Sequence, residues 1–326
     1  MNQVTKGQWN GYDTYILNTG RLEVTLLPRL GNNVIEIKDQ QEQRQVLRKP
    51  EESELAFYLQ KPYHFGIPML IPPGRIAKGR FEYDGTSYQF DQNTANENHI
   101  HGLHRTQAWC VSDIEEDDEG CAVTTEFLTS SDPRWIDQMP EPLKLQMTFR
   151  LQGSELHQRL RVTNLGSRSI PFGLGYHTWL LLDGRPDQWT LKLPVDGICT
   201  LDEQLLPTGE FSSLGKLEAL NTGCNLKGSD LDTIFKIPEG APAEALLTRD
   251  DGYSIEYSAD RSFFKYWVLY TKGTADQFLC IEPYTWIPNA PNLDLPNELT
   301  GLINLEPNQM IELNTKLQIH YPISKD

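Results

Sequence analysis

The chain has 326 residues, enough for a large buried core, and its 29 basic and 45 acidic side chains give a net charge of −16. Because that charge repels phosphate backbones and anionic lipids, we expect neither nucleic acid nor a membrane surface as a partner, and a neutral small molecule fits better. The longest uncharged apolar-rich stretch, residues 169–182, contains a histidine and is too short to cross a bilayer.

The cysteines favour a reducing compartment. There are five, an odd number, and they never form a C-x-x-C pair, which argues against a disulfide framework and against a structural zinc site. The first 20 residues are polar and aromatic and lack the apolar segment of a secretory signal. These features predict a cytoplasmic location.

Strand patterns follow one another along the whole chain. Residues 143–151 carry apolar side chains at every odd position, and residues 156–165 alternate again after a short turn, which predicts an antiparallel hairpin. Further strands are predicted at 21–27, 33–37, 122–128, 189–195, 253–258, 264–271, 277–282 and 311–321.

Other segments are less regular. The acidic residues 113–120 are most simply a solvated loop, and residues 216–223 could hold a short helix. No repeat, linker or shift of composition divides the chain. We therefore predict an all-β fold, a large antiparallel β-sandwich forming a single domain over residues 1–326.

A cluster of histidines draws attention first. Residues 98–104 read NHIHGLH, and in a strand His99 and His101 would point to the same face, a spacing that metal sites use, while His104 could turn back through Gly102. No acidic residue follows within ten positions of His101 to help complete a ligand set. A metal site, surface histidines and a role in proton transfer all stay open on spacing alone.

Two later residues could do acid–base chemistry. His177 lies in the uncharged run PFGLGYHTWLLL, where a buried imidazole needs a hydrogen-bond partner or a ligand. Glu282 follows the apolar run FLCI and precedes Pro283, so its carboxyl group comes directly after a strand covered on both faces. A carboxylate in such a place is either paired or functional.

Several short motifs, in order, resemble the aldose 1-epimerase (galactose mutarotase) family. They are NHIHG at 98–102, GYH at 175–177, LPTG at 206–209, LD at 231–232 and EPYT at 282–285, together with the early hairpin GRIAKGRFEYDGTSYQF at 74–90. The resemblance implies a galactose mutarotase-like β-sandwich that binds a free sugar on its concave face and interconverts the α and β anomers.

The resemblance also implies roles for particular residues. Glu282 would be the general base and His177 the general acid, and His101 would assist beside the reacting oxygens. Arg75, Asp232 and Asn98 would bind the substrate. No metal and no cofactor is implied.

The sequence departs from the family pattern beside these motifs. An arginine, Arg75, follows Gly74 where asparagine is common, Leu103 replaces a second glycine, and Thr178-Trp179 replaces Pro-Tyr. The aromatic residues near the motifs could contact the sugar or simply pack in the core: Tyr176, Trp179, Tyr284 and Trp286.

Three alternatives to a mutarotase for a free aldohexose remain. A mutarotase for a phosphorylated hexose would use Arg75, Arg80 and Arg105, because HGLHR followed by Trp109 also resembles that branch. A non-catalytic carbohydrate-binding or sensing protein would not need the acid–base pair. A glycoside hydrolase would use Asp232 and Glu282 as its two carboxyl groups.

Overall fold

The computed structural model describes residues 2–271 and 277–322. Its strands, in chain order, are β1 Gln3–Trp9, β2 Tyr12–Asn18, β3 Leu22–Leu27, β4 Asn33–Asp39, β5 Arg44–Gln45, β6 Met69–Leu70, β7 Arg75–Ile76, β8 Arg80–Tyr83, β9 Thr86–Gln89, β10 His99–Ile100, β11 Cys110–Glu116, β12 Cys121–Leu128, β13 Leu143–Gln152, β14 Glu155–Asn164, β15 Ile170–Phe172, β16 Gly175–Tyr176, β17 Thr178–Leu181, β18 Trp189–Lys192, β19 Gly197–Leu201, β20 Pro207–Ser212, β21 Asp232–Lys236, β22 Ala243–Arg249, β23 Ser254–Ala259, β24 Tyr266–Tyr270, β25 Phe278–Tyr284, β26 Ile303–Leu305 and β27 Met310–His320.

The helices are short. The α-helices are α1 Leu55–Gln60, α2 Pro133–Gln138 and α3 Asn297–Thr300, and 3₁₀ turns lie at Glu52–Glu54, Pro62–His64, Ala77–Gly79, Thr129–Ser131, Pro186–Gln188, Gly215–Asn221 and Ala290–Asn292. The short helix predicted at 216–223 is thus a 3₁₀ helix. In the described part of the chain, no helix has the length and apolar character needed to cross a membrane.

Two large antiparallel sheets form the sandwich. One runs in the order β11-β12-β13-β14-β27-β23-β22-β18, and the other in the order β20-β19-β21-β24-β25-β16-β6, with β17 also paired to β25. A third sheet, β1 to β5, is a simple meander. Tyr257 of β23 and Trp267 of β24 meet with ring centroids 6.1 Å apart, which joins the inner faces of the two large sheets. The prediction of an all-β antiparallel sandwich is confirmed.

The predicted hairpin forms in the predicted register. β13 pairs with β14 from Leu143 opposite Asn164 to Gln152 opposite Glu155, and every odd residue of β13 is buried. β14 pairs in turn with β27, whose buried residues are Ile311, Leu313, Thr315, Leu317 and Ile319. The alternation of apolar residues in the sequence therefore identified β13, β14 and β27.

The other predicted strands are present, with small differences at their ends. The strand predicted at 189–195 ends at Lys192, because the amide of Leu193 turns aside to donate to Leu220 and Pro194 has no amide hydrogen to continue the ladder. β25 extends beyond the prediction to Tyr284, and six of its seven residues are buried. A strand covered on both faces is what the apolar run before Glu282 indicated.

The acidic segment was predicted wrongly in part. Residues 113–116 belong to β11, and only residues 117–120 form the connecting turn. β11 is the edge strand of its sheet, and its residues are almost all exposed. An edge strand open to solvent has no buried face, so it lacks the alternation by which the other strands were recognised.

Candidate active site

A pocket of about 290 Å³ is lined by residues of β21, β24 and β25. Five of the six predicted site residues line it: Arg75, His101, His177, Asp232 and Glu282. Its size is near the lower end of the range of about 300 to 1,000 Å³ typical of ligand sites. The lining mixes charged, imidazole and aromatic side chains, which suits a small polar ligand.

Strand register explains why the pocket residues meet. Successive side chains of β25 alternate between its two faces, so Glu282 and Tyr284 both point to the pocket. Where β24 pairs with β25, Val268 of β24 lies opposite Glu282. Where β21 pairs with β24, Asp232 of β21 lies opposite Tyr270. Asp232 and Glu282 therefore reach the same pocket from two strands that flank β24.

His177 sits in the gap between two short strands. Gly175 of β16 pairs with Tyr284 and Thr178 of β17 pairs with Ile281, which leaves His177 beside Glu282. A Cβ atom at Gly175 would lie 2.6 Å from the Tyr284 ring, which explains the glycine in the GYH motif.

The two residues predicted as acid and base are in contact. His177 Nε2 lies 3.3 Å from Glu282 Oε1, and both residues are buried. The His177 ring stacks on Trp179 with centroids 5.1 Å apart and an interplanar angle of 10°, which fixes its orientation. Burial raises the pKa of the Glu282 carboxyl group well above its usual value and lowers the pKa of His177 to about 3. Both shifts follow from the cost of holding a charge away from water.

Tyr284 has a role that the sequence did not reveal. Its hydroxyl group donates a 2.8 Å hydrogen bond to Glu282 Oε2, the oxygen that does not face His177. This bond favours the carboxylate and opposes part of the pKa rise caused by burial. Sequence analysis had assigned Tyr284 only to sugar contact or core packing.

We expect Tyr284→Phe to lower kcat/KM for the anomer exchange that the sequence motifs imply by about 10-fold or more, because a hydrogen bond to a charged group contributes about 1.5 to 3 kcal/mol. The measurement is steady-state anomer exchange. Tyr270→Phe is the matched control in the same pocket, and its kcat/KM should stay within a few-fold of wild type. Equal effects of the two substitutions would contradict the role given to the Tyr284 hydroxyl.

His101 reaches the pocket through an unusual backbone turn. It has a φ of +63°, a left-handed conformation uncommon for a residue with a side chain, and its amide donates to Gly74 O at 3.0 Å. Gly102 follows with a φ of +71°, and a Cβ there would come within 1.9 Å of the Ile71 carbonyl oxygen. The turn aims the His101 ring at His177, with centroids 5.6 Å apart, and against Tyr63 at 4.9 Å.

Of the other residues in the NHIHGLH segment, Ile100 lines the pocket, whereas Asn98, His99 and His104 do not. His99 Nδ1 lies 2.7 Å from the carbonyl oxygen of Asp91, and His104 Nε2 lies 2.9 Å from that of Gly31. Asn98, predicted to bind substrate, accepts from the Lys78 amide at 2.9 Å and donates to Gln204 at 3.3 Å, and it does not line the pocket. The structure therefore separates Asn98 from the five residues that meet.

This arrangement does not match the metal interpretation of the histidine cluster. In the described ranges, no group of three metal-ligating side chains includes His99, His101 or His104. Because His101 has a left-handed backbone conformation, with a φ of +63°, the side chains of His99 and His101 do not follow the alternation that an H-x-H strand assumes. The contacts of His99 and His104 with backbone carbonyl oxygens indicate that these two side chains hold the surrounding loops in place.

Those two histidines predict acid sensitivity. Burial lowers the pKa of His99 and of His104 to about 4, from an ordinary value of 6.5. Above pH 6.5 the two imidazoles are neutral in both the folded and the unfolded chain. Between pH 6.5 and pH 4 they bind protons only in the unfolded chain. We expect the free energy of unfolding to fall in that window by up to about 1.4 kcal/mol per pH unit for each histidine.

Urea unfolding at several pH values measures this slope. His104→Gln should lower stability at neutral pH but make the slope shallower by about one proton. A wild-type stability that is flat from pH 6.5 to 4 would contradict the buried, neutral state of these rings.

The sequence left the role of His64 undecided and gave no signal for Tyr63. Tyr63 and His64 come from the 3₁₀ turn after α1 and line the same pocket, and His64 stacks on Trp179 with centroids 5.4 Å apart. A single turn carries no periodic signal, so nothing in the sequence placed them there. Of the four aromatic residues named above, only Trp179 and Tyr284 line the pocket.

The arginines proposed for phosphate binding lie apart. Only Arg75 lines the pocket. Arg80 is exposed and pairs with Glu82 at 3.2 Å, and Arg105 lines a neighbouring pocket of about 140 Å³ with His99. The three guanidinium groups therefore do not converge on one ligand.

Comparisons with known proteins agree with the fold and the motifs. The sequence profile of the family described as aldose 1-epimerase matches residues 13–318. The uncharacterised protein YihR of Escherichia coli is 25% identical over 296 residues, 89% of each chain. The galactose mutarotase of Rattus norvegicus is 30% identical over 164 residues, 48% of this chain and 45% of its own length, so that match spans about half of each protein.

Solved structures extend the likeness to the whole chain. A galactose mutarotase-like protein from Clostridium acetobutylicum superposes with a TM-score of 0.92 at 25% identity, covering 98% of both chains. The galactose 1-epimerase of Lactobacillus acidophilus gives a TM-score of 0.77 at 18% identity over 99% of both chains, a likeness of fold. The sandwich is thus of the galactose mutarotase-like type.

Proposed function

The chain belongs to the aldose 1-epimerase family, a family of isomerases, and from that premise we propose that it interconverts the α and β anomers of a free aldohexose. The observation that carries the proposal is the contact of His177 Nε2 with Glu282 Oε1 at 3.3 Å in the wall of one polar pocket. Anomer exchange needs one proton removed and another delivered, and this pair offers both groups at one place.

The proposed reaction has two proton transfers. Glu282 accepts the proton of the C1 hydroxyl group while His177 donates a proton to the ring oxygen. The C1–ring oxygen bond breaks and the C1–O1 bond becomes a carbonyl. Rotation about C1–C2 turns the other carbonyl face to the ring hydroxyl, and reversal of both transfers closes the ring as the other anomer.

The pair must hold one proton in the reactive state. Burial disfavours both charges, raising the pKa of the Glu282 carboxyl group and lowering the pKa of His177, so in the empty pocket it favours that proton on Glu282. The 3.3 Å contact lets the proton pass to His177, and sugar hydroxyl groups in the filled pocket would solvate the resulting ion pair. The hydrogen bond from Tyr284 favours the carboxylate in the same direction.

The remaining polar residues would position the sugar. Arg75 and Asp232 line the pocket from different strands and can donate to and accept from hydroxyl groups. His101, held by its turn beside the His177 ring, would assist at the reacting oxygens. Trp179 stacks on His177 and on His64 and would hold both imidazole rings in place at the pocket.

A free hexose is favoured over a phosphorylated one. Only Arg75 among the three candidate arginines reaches the pocket, and Asp232 in the same lining would repel a phosphate group. The proposal also takes residues 1–326 as one domain, since one apolar cluster includes residues from Leu17 to Ile319. A cytoplasmic location is part of it, because all five cysteines are free thiols.

The test follows the optical rotation of freshly dissolved α-glucose and α-galactose. We expect the protein to accelerate the approach to equilibrium for at least one sugar, with equal rates in the presence of EDTA. Galactose 6-phosphate and glucose 6-phosphate should react more slowly than the free sugars.

Other outcomes would select an alternative. Sugar binding without acceleration would support a carbohydrate-binding protein, and preference for the 6-phosphates would support the phosphorylated substrate. Release of the aglycone from an aryl glycoside would support a hydrolase.

A further inference from the structure

A third side chain stands beside the acid–base pair without a role in the proposed reaction. Cys280 precedes Glu282 by two residues on β25, so strand alternation places its thiol on the same face. The Cys280 sulfur, a His177 ring nitrogen and a Glu282 carboxyl oxygen all lie within 4.8 Å of one another, and all three residues are buried.

These three groups match the ligands that zinc prefers. Protein zinc sites combine thiolate, imidazole and carboxylate, at about 2.3 Å for sulfur and 2.0 to 2.2 Å for nitrogen and oxygen. A tetrahedral ion with such bonds holds its ligand atoms about 3.3 to 3.8 Å apart. The His177–Glu282 separation of 3.3 Å already fits, and the sulfur would need to move by no more than about 1 Å.

The charge balance also fits a divalent cation. In the part of the chain that the structure describes, no lysine or arginine lies within ion-pair distance of Glu282, whose ion-pair contact is His177. A bound divalent cation would compensate a thiolate and a carboxylate together. The fourth position of the ion would face the pocket, which His177 and Glu282 line.

We propose that Cys280, His177 and Glu282 form a binding site for zinc or a similar thiophilic divalent cation, and that the bound ion blocks the pocket. On binding, the thiol and the carboxyl group each lose a proton to solvent, and the His177 lone pair binds the ion. The ion then occupies both groups that exchange protons with the sugar. The metal site stands on geometry alone, whereas the inhibition rests on the proposed function.

Cobalt titration tests the site without any activity measurement. Co²⁺ added to the wild-type protein should produce a thiolate-to-cobalt charge-transfer band that Zn²⁺ abolishes. Cys280→Ser should lose the band and bind Zn²⁺ at least about 100-fold more weakly, since even the outer partners of metal ligands are worth 10- to 100-fold. Cys121→Ser, equally buried but in the other sheet, and Cys110→Ser, which removes an exposed thiol, should both keep the band.

The absence of a band in wild type, or its persistence in Cys280→Ser, would overturn the proposed site. If Cys280→Ser does not fold, X-ray absorption of the zinc-loaded wild type decides. One sulfur at about 2.3 Å with nitrogen and oxygen ligands near 2.0 Å supports the site, and a shell without sulfur overturns it.

Activity then tests the consequence. Zn²⁺ should inhibit anomer exchange in competition with the sugar, EDTA should restore the rate, and Cys280→Ser should keep the basal rate while needing at least about 100-fold more Zn²⁺. An active protein that ignores Zn²⁺ would overturn the inhibition. A protein that binds Co²⁺ through Cys280 but never accelerates anomer exchange would overturn the proposed function and leave the metal site standing.

Discussion

Replacing Glu282 by glutamine should lower kcat for anomer exchange by about 10²- to 10⁴-fold, the usual contribution of a positioned general base. Glutamine has nearly the same shape and its carbonyl oxygen can still accept the hydrogen bond from Tyr284, so the pocket should persist. The lost property is the ability to take a proton from the C1 hydroxyl group. Polarimetry on freshly dissolved α-galactose and α-glucose measures kcat and KM.

Asp232→Asn is the matched control for this substitution. It makes the same chemical change in the same pocket, on a residue that does not contact His177, and should raise KM more than it lowers kcat. If Glu282→Gln kept more than a tenth of the wild-type kcat, Glu282 would not be the base.

Replacing His177 by asparagine should have an effect of similar size, a fall in kcat of about 10²- to 10⁴-fold, because ring opening would lose its proton donor. Circular dichroism should show an intact fold, since the imidazole contacts the pocket and the Trp179 ring rather than the apolar core. His64→Asn, on the same Trp179 ring, should change kcat by less than about 10-fold.

The double variant gives a sharper test of the pair. Residues that act as a unit are not additive, so Glu282→Gln with His177→Asn should be about as slow as the slower single variant. Multiplicative losses would mean that the two groups act in separate steps, contrary to the mechanism proposed here.

Much of the sandwich could be predicted because half-buried strands show alternation in their composition. The hairpin of β13 and β14 was recognised in full, and the apolar run before Glu282 indicated a strand buried on both faces. The exposed edge strand β11 could not be recognised, because solvent on all accessible sides removes the apolar half of the pattern.

The sequence indicated which chemical groups the candidate site contains, but not which way every side chain points. Glu282 and His177 were identified because a carboxyl group and an imidazole in apolar surroundings need a partner, and the structure makes each the partner of the other. Asn98 could not be placed, because its side chain is held by the Lys78 amide and by Gln204, two contacts that are distant in the sequence. Tyr63 lies in the 3₁₀ turn Pro62–His64, and a single turn has no periodic pattern that the sequence analysis could use.

The acidic edge strand β11 has a consequence for self-association. An unpaired edge offers free backbone groups to any second strand, and two copies could join edge to edge into a continuous sheet. On β11, Asp113, Glu115 and Glu116 are exposed, so an approaching copy would bring its own carboxylates against them. Electrostatic repulsion at this one edge therefore discourages fibre-like growth of the sheet, most strongly at low ionic strength.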